Sequence, residues 1–122
     1  MTRNILAETH IHPAIRDRIA KLNRDIVVEV QQALLEHKVV VVGMKQNPVV
    51  RKARQALDAQ GIAFHYLEYG SYLNTWRRRN SIKMWTGWPT FPMVFVKGVL
   101  VGGAAELKAL IASGELVRMM QS

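Results

Sequence analysis

The 122-residue chain contains no cysteine. Attack by a thiolate and ligation of a metal through a thiolate are therefore closed to it. The same absence says nothing about redox compartment, since zero cysteines suit any of them. Long apolar runs are missing too: no stretch of about 18 apolar residues occurs, so no membrane-crossing helix is expected. The opening residues, Met1 to Glu8, lack the apolar core of a secretory signal, and a cytoplasmic location is the expectation. Internal repeats, low-complexity tracts and linkers are also lacking. Acidic residues are scarce, 9 against 17 lysines and arginines, for a formal charge of +8. Such a surface draws anions at long range, whether small ligands or acidic proteins. Charge alone does not make a nucleic-acid site, and none is expected.

The apolar content of 49% over this length suits one domain with a real core. Residues 13–37 read as helical, with Pro13 placed for a first turn. Ile15, Ile19 and Leu22 form one apolar stripe, and Ile26, Val27, Val30, Ala33 and Leu34 another. Asn23 either caps a second helix or lies at a bend between two. The run Val39-Val40-Val41-Val42 is β-branched and continuously apolar, as in a strand covered on both faces. Asn47-Pro48 then reads as N-cap and first turn of a helix running to about Gln60 and ended by Gly61. Ile62 to Leu67 reads as a second strand, and residues 71–84 as a helix with a basic face formed by Arg77, Arg78, Arg79 and Lys83. Met93 to Val101 reads as a hairpin turning at Lys97-Gly98. Ala104 to Ser113 suits a helix closed by Gly114, and Leu116, Val117, Met119 and Met120 mark a short final helix. A parallel βαβ pair, a hairpin and a closing helix predict an α/β fold with a four-stranded mixed sheet and helices on both faces.

One segment goes beyond periodicity. Arg79-Asn80-Ser81-Ile82-Lys83 is followed by Trp88-Pro89-Thr90-Phe91-Pro92, then by Val94 to Val101, Gly102-Gly103 and Ser113-Gly114-Glu115-Leu116. Over roughly residues 25–118 this pattern resembles the glutaredoxin family, and its monothiol members in particular. The resemblance implies a thioredoxin-like fold for residues 25–122, with residues 1–24 as an added N-terminal helical extension. It also implies where this chain departs. Asn47 stands at the family's cysteine position, with Pro48-Val49-Val50 completing the active-site tetrad. Ala104-Ala105 follow Gly102-Gly103 where the family has Cys or Ser and then Asp.

The resemblance assigns ligand-binding roles to six positions. Lys45 would face the glycine carboxylate of glutathione, although a solvated lysine is the plainer reading. Arg79 would reach the same carboxylate, a task suited to its paired donors. A cis bond before Pro92 would offer the Phe91 backbone to an extended peptide in β-like pairing, unless Pro92 merely shapes a turn. Trp88 and Thr90 accompany that turn. Gly103 and the Ala104 N–H open a helix, and free N–H groups there would hold a γ-glutamyl carboxylate. With Ala105 uncharged, the γ-glutamyl amine loses its partner, at a cost of about 1.5–3 kcal/mol. Glu106 is expected to point elsewhere on the helix. Lys83 matches a basic family position without a defined role.

Asn47 itself reads as a helix cap, whose amide neither attacks a disulfide nor forms a thiolate. His10 and His12 carry no carboxylate pair beside them, and no metal site is expected. His37 and His65 show no catalytic partner. The functional expectation is a non-catalytic binding module for a glutathione-like or peptide ligand, or for an acidic protein partner. It requires no cofactor, and glutathione is at most a weak ligand. The alternatives are the family's thiol–disulfide oxidoreductase or iron–sulfur roles, or a structural scaffold that self-associates as a homodimer through residues 1–24.

Overall fold

The architecture is that of a computed structural model, which describes residues 3–21, 24–70 and 76–121. Among the described residues six helices and four strands follow in the order α1 (Pro13–Lys21), α2 (Arg24–Glu36), β1 (Val39–Gly43), α3 (Pro48–Ala59), β2 (His65–Glu68), α4 (Trp76–Thr86), β3 (Met93–Val96), β4 (Val99–Gly102), α5 (Ala104–Ser113) and α6 (Glu115–Gln121). A single 3-10 turn, Glu8–His10, precedes them. The sheet order is β2-β1-β3-β4. β1 pairs parallel with β2 and antiparallel with β3, and β3 and β4 form the hairpin. This is the four-stranded mixed sheet and thioredoxin-like architecture that the sequence predicts.

The valine run explains why β1 is central. Successive side chains of a strand point to opposite faces, so Val40 and Val42 enter one apolar layer and Val39 and Val41 the other. The first layer joins Ile26, Val30 and Ala33 of α2, Ile82 of α4, and Met93 and Phe95 of β3. The second joins Ala53 and Leu57 of α3, Val94 and Val96 of β3, Leu107 of α5 and Leu116 of α6. All four valines are essentially without solvent contact. Burial of such a side chain contributes about 1.5–3 kcal/mol, so this one strand anchors both halves of the core.

Several boundaries move. The second strand begins at His65 instead of Ile62, because the parallel register starts with Val40 opposite His65. Ile62 and Phe64 instead pack as a connector against the second layer. The basic helix extends to Thr86, two residues past Met84. The Thr86 hydroxyl bonds back to the Ile82 carbonyl at 2.9 Å, and the Gly87 N–H closes the helix on the Lys83 carbonyl at 2.8 Å. The predicted start of this helix at residue 71 lies outside the described residues, as do Leu22 and Asn23. The first apolar stripe is not a core face: Ile15 and Ile19 are 43% and 53% exposed, and α1 buries no residue. The N-terminal segment touches the body at Arg3, which donates to the Thr86 carbonyl at 2.9 Å.

Candidate functional site

The site lies where β1 ends and α3 begins. At Gly43 an added Cβ would fall 2.6 Å from a Val50 methyl group and 3.1 Å from the Tyr66 ring. Glycine thus lets the first turn of α3 close onto the strand end. The chain then passes through Met44, Lys45 and Gln46, the last with φ +63°, into Asn47. Asn47 Oδ1 accepts the N–H groups of Val49 at 2.9 Å and Val50 at 3.1 Å. Pro48 has no N–H, so of the four positions whose N–H a helix start leaves without a main-chain partner only three carry one here, and an amide oxygen satisfies two of them. Pro48 at the first helical position completes the start expected from sequence.

Lys45 and Arg79 meet around one short segment. The Lys45 N–H donates to the Gly70 carbonyl at 2.6 Å, and the Tyr69 N–H donates to the Gly43 carbonyl at 2.9 Å. From α4, Arg79 Nη1 donates to the Tyr69 carbonyl at 3.2 Å. The Tyr69 hydroxyl in turn binds Glu29 of α2. The two cations differ in exposure. The Lys45 side chain is open to solvent, whereas Arg79 is only 5% exposed. Arg79 therefore spends at least part of its donor capacity inside the protein.

The bond between Phe91 and Pro92 is cis, as the resemblance implies. Phe91 and Pro92 are buried while Thr90 is exposed. Phe91 packs with Met44, Val50 and Ile82 in the first layer, which joins this turn to the strand end. Lys83 places its ammonium 5.6 Å from the Phe91 ring centroid, within cation–π range. A second cation thus accompanies the turn.

Beside Pro92 lies the start of α5. A Cβ at Gly103 would meet the Pro92 carbonyl oxygen at 3.3 Å, Glu106 Oε1 at 3.5 Å and Trp88 Nε1 at 3.8 Å. The expected free N–H at Gly103 is corrected here: it donates to Glu106 Oε1 at 2.9 Å. Glu106 does not point away from the site but folds back over Gly102. That residue has φ +120°, and its added Cβ would lie 2.7 Å from Glu106 Cγ. Sequence reasoning missed this role, although the signal was present. Gly103 and Glu106 have the N-cap-to-N3 spacing at which a glutamate reaches back to the cap N–H. Trp88 Nε1 is buried there with no hydrogen-bond partner among the described residues.

The histidines lie elsewhere. His12 Nδ1 accepts the Ala14 N–H at 3.0 Å at the start of α1. His37 and His65 stack face to face, centroids 4.2 Å apart, near the opposite ends of β1 and β2 from the site. Among the described residues no three histidine or carboxylate side chains are gathered as metal ligands. With no thiolate in the chain, the donor set does not fit an iron–sulfur cluster.

Comparison with known proteins agrees with this geometry. The family model described as Glutaredoxin matches residues 39–101, from the start of β1 through most of β4. A glutaredoxin-like protein of Dictyostelium discoideum is 45% identical over 102 residues, covering 84% of this chain and 83% of its own. A probable monothiol glutaredoxin 2 of Rickettsia prowazekii is 32% identical over 97 residues, covering 75% of this chain and 88% of its own. Among solved structures, buckwheat glutaredoxin in complex with glutathione superposes with a TM-score of 0.70 at 19% identity, over 83% of this chain and 92% of that one. The last likeness concerns fold alone. On the family match and the relatives' identity over most of its length, the chain belongs to the glutaredoxin family, as a member without cysteine.

Proposed function

We propose that this chain is a non-catalytic binding module that holds an extended peptide, a glutathione-like molecule or an acidic protein segment in the groove between Lys45 and the Phe91-Pro92 turn. The observation that carries the reading is the pair of bonds that Asn47 Oδ1 accepts from the N–H groups of Val49 and Val50. An amide oxygen caps the helix where the family's reagent would sit, so the helix start is complete without a sulfur. Exposed Lys45 supplies a point charge for a carboxylate. Lys83 beside Phe91 adds a second cation, and the overall charge of +8 favours acidic partners. A glutaredoxin of the same fold has been solved with glutathione bound, which supports that ligand class. Binding of this kind needs no cofactor, and its expected place is the cytoplasm. No helix among the described residues is long and apolar enough to cross a membrane.

The test is titration calorimetry of the intact protein with glutathione and with an acidic peptide, beside a glutathione-dependent disulfide-reduction assay. Saturable heat with no turnover above background is the expected result. Turnover by the pure protein, or no binding of any groove ligand, overturns the reading. A second reading, self-association through residues 1–24, is favoured by the exposed Ile15 and Ile19 on α1. Light scattering on the full chain and on a form beginning at Asp25 separates the two. A dimer that persists without residues 1–24 removes the second.

A further inference from the structure

A cavity of about 750 Å³ lies between the N-terminal segment and the body, apart from the groove. It exists because α1 does not pack down. That helix buries no residue, and Ile19, which lines the cavity, is 53% exposed. The segment is nevertheless tied on. Arg3 donates to the Thr86 carbonyl at 2.9 Å, and its guanidinium fills the space that a side chain at Gly87 would need. Ile19 and Ala20 of α1, Val27 of α2, and Met84 and Trp85 of α4 give the cavity apolar walls. Met84 is 67% exposed, a large unbranched side chain in water that can fold over an apolar guest. The charged groups of the lining are Arg24 and Glu8. Among the described residues no ion pair joins Arg24 to a carboxylate.

We infer that this cavity is a second binding site, which takes an apolar monocarboxylic acid of the medium-chain acyl class with its carboxylate on Arg24. Its volume lies within the range of about 300–1,000 Å³ typical of small-ligand sites, whose walls are mostly apolar with a few polar groups. Apart from Trp85 the apolar walls are aliphatic, which suits a flexible chain. Charge decides the head group. A guanidinium matches a carboxylate through two parallel hydrogen bonds. A chain of net charge +8 also attracts an anion and repels an amphiphilic cation. Glu8 repels the carboxylate, so the head lies at Arg24 and the acyl chain against Val27, Met84 and Trp85. The same net charge disfavours a second copy of this chain as the occupant, since the two would repel. The inference is independent of the groove reading, because none of Lys45, Lys83, Phe91 and Pro92 lines the cavity.

The experiment titrates decanoate, decanol and decylammonium, each below its micelle concentration, into the full-length protein by calorimetry. NMR of the methionine methyl groups, with Met84 assigned by its absence from Met84→Glu, locates the site. Decanoate is expected to give saturable heat, to move the Met84 signal and to bind about fivefold more tightly than decanol. Decylammonium should bind more weakly than either. In Arg24→Gln the preference for decanoate over decanol should vanish, and Met84→Glu should weaken decanoate by about tenfold or more. Both positions are exposed, so both variants should fold, which circular dichroism checks. No saturable heat from decanoate, heat without movement of the Met84 signal, or tighter binding of decylammonium each overturns the inference. So does a preference unchanged in Arg24→Gln, or undiminished binding by Met84→Glu. A dimer in light scattering that Met84→Glu dissociates, with no heat from decanoate, assigns the cavity to a second copy and overturns it too.

Discussion

Asn47 accepts the backbone N–H of Val50 through its side-chain oxygen at 3.1 Å, and that of Val49 at 2.9 Å. The position that carries the family's chemistry is here a structural cap. Replacing an asparagine cap with alanine costs about 1 kcal/mol, and with glycine a few tenths. Urea denaturation should therefore give Asn47→Ala a lower midpoint with an unchanged slope, and Asn47→Gly a much smaller loss. Equal stability of Asn47→Ala and the natural protein would remove the capping role.

Asn47→Cys tests what the scaffold still permits. A thiol at the start of α3 would lie beside the same N–H groups and near the exposed Lys45, an environment that lowers a thiol's pKa. Alkylation kinetics against pH should show a thiolate at neutral pH, forming well below the usual value of about 8.5. Ordinary thiol titration in a folded Asn47→Cys protein would mean that the helix start has lost its electrostatic competence.

Lys45 and Arg79, which the resemblance pairs on one ligand carboxylate, should separate on stability. Arg79 is 5% exposed and donates to the Tyr69 carbonyl, whereas Lys45 is open to solvent. Arg79→Ala removes a buried guanidinium and its charge-assisted bond to the carbonyl of half-buried Tyr69, at a cost of about 1.5–3 kcal/mol. Lys45→Ala should fall within about 0.5 kcal/mol of the natural protein, as exposed substitutions do. Thermal and urea unfolding of the two variants check this. Equal losses would place both residues in the same structural role.

Gly102 carries a similar constraint. At φ +120° a side chain is strained whatever the space, and here it would also displace Glu106. Gly102→Ala is expected to cost about 1–3 kcal/mol. Combining it with Glu106→Ala should recover only part of that loss, because the backbone strain remains. Full recovery in the double variant would assign the whole cost to the clash.

What could be read from the sequence was whatever depends on local pattern. The valine run, the Asn47-Pro48 start, the Lys97-Gly98 turn and the Gly114 stop all fall where expected, because each is fixed by a few neighbouring residues. The Ile15 and Ile19 stripe shows the limit. It has helical spacing, but burial requires a closely packed partner face, and among the described residues none buries it. Register is likewise non-local: Ile62 to Phe64 have strand-like residues, yet β1 begins pairing with His65. At the site, motif matching located Arg79 but not its partner, and it set Glu106 aside as pointing elsewhere on the helix. Arg79 bonds to Tyr69, ten positions away, whereas the Gly103-to-Glu106 spacing does mark the cap and only the glycine conformation that makes room for it is hidden.

Tyr66 provides a prediction about pH. Burial beneath α3, reinforced by its bond to Glu68 at 3.1 Å, pushes the phenol up from its ordinary value to about 12. Arg54, whose guanidinium carbon lies 4.0 Å from the ring centroid, acts in the opposite sense and does not outweigh burial. Between the ordinary value and about 12, the folded protein keeps a proton that the unfolded chain has lost. Stability must then fall as pH rises across that window, and it is fully present below it. Urea midpoints measured from neutral to strongly alkaline pH should decline there, and Tyr66→Phe should flatten the decline. Glu68→Gln should shift phenolate absorbance to lower pH without restoring the ordinary value, since burial is the larger cause. If Glu68→Gln restored that value completely, the hydrogen bond and not burial would be in control.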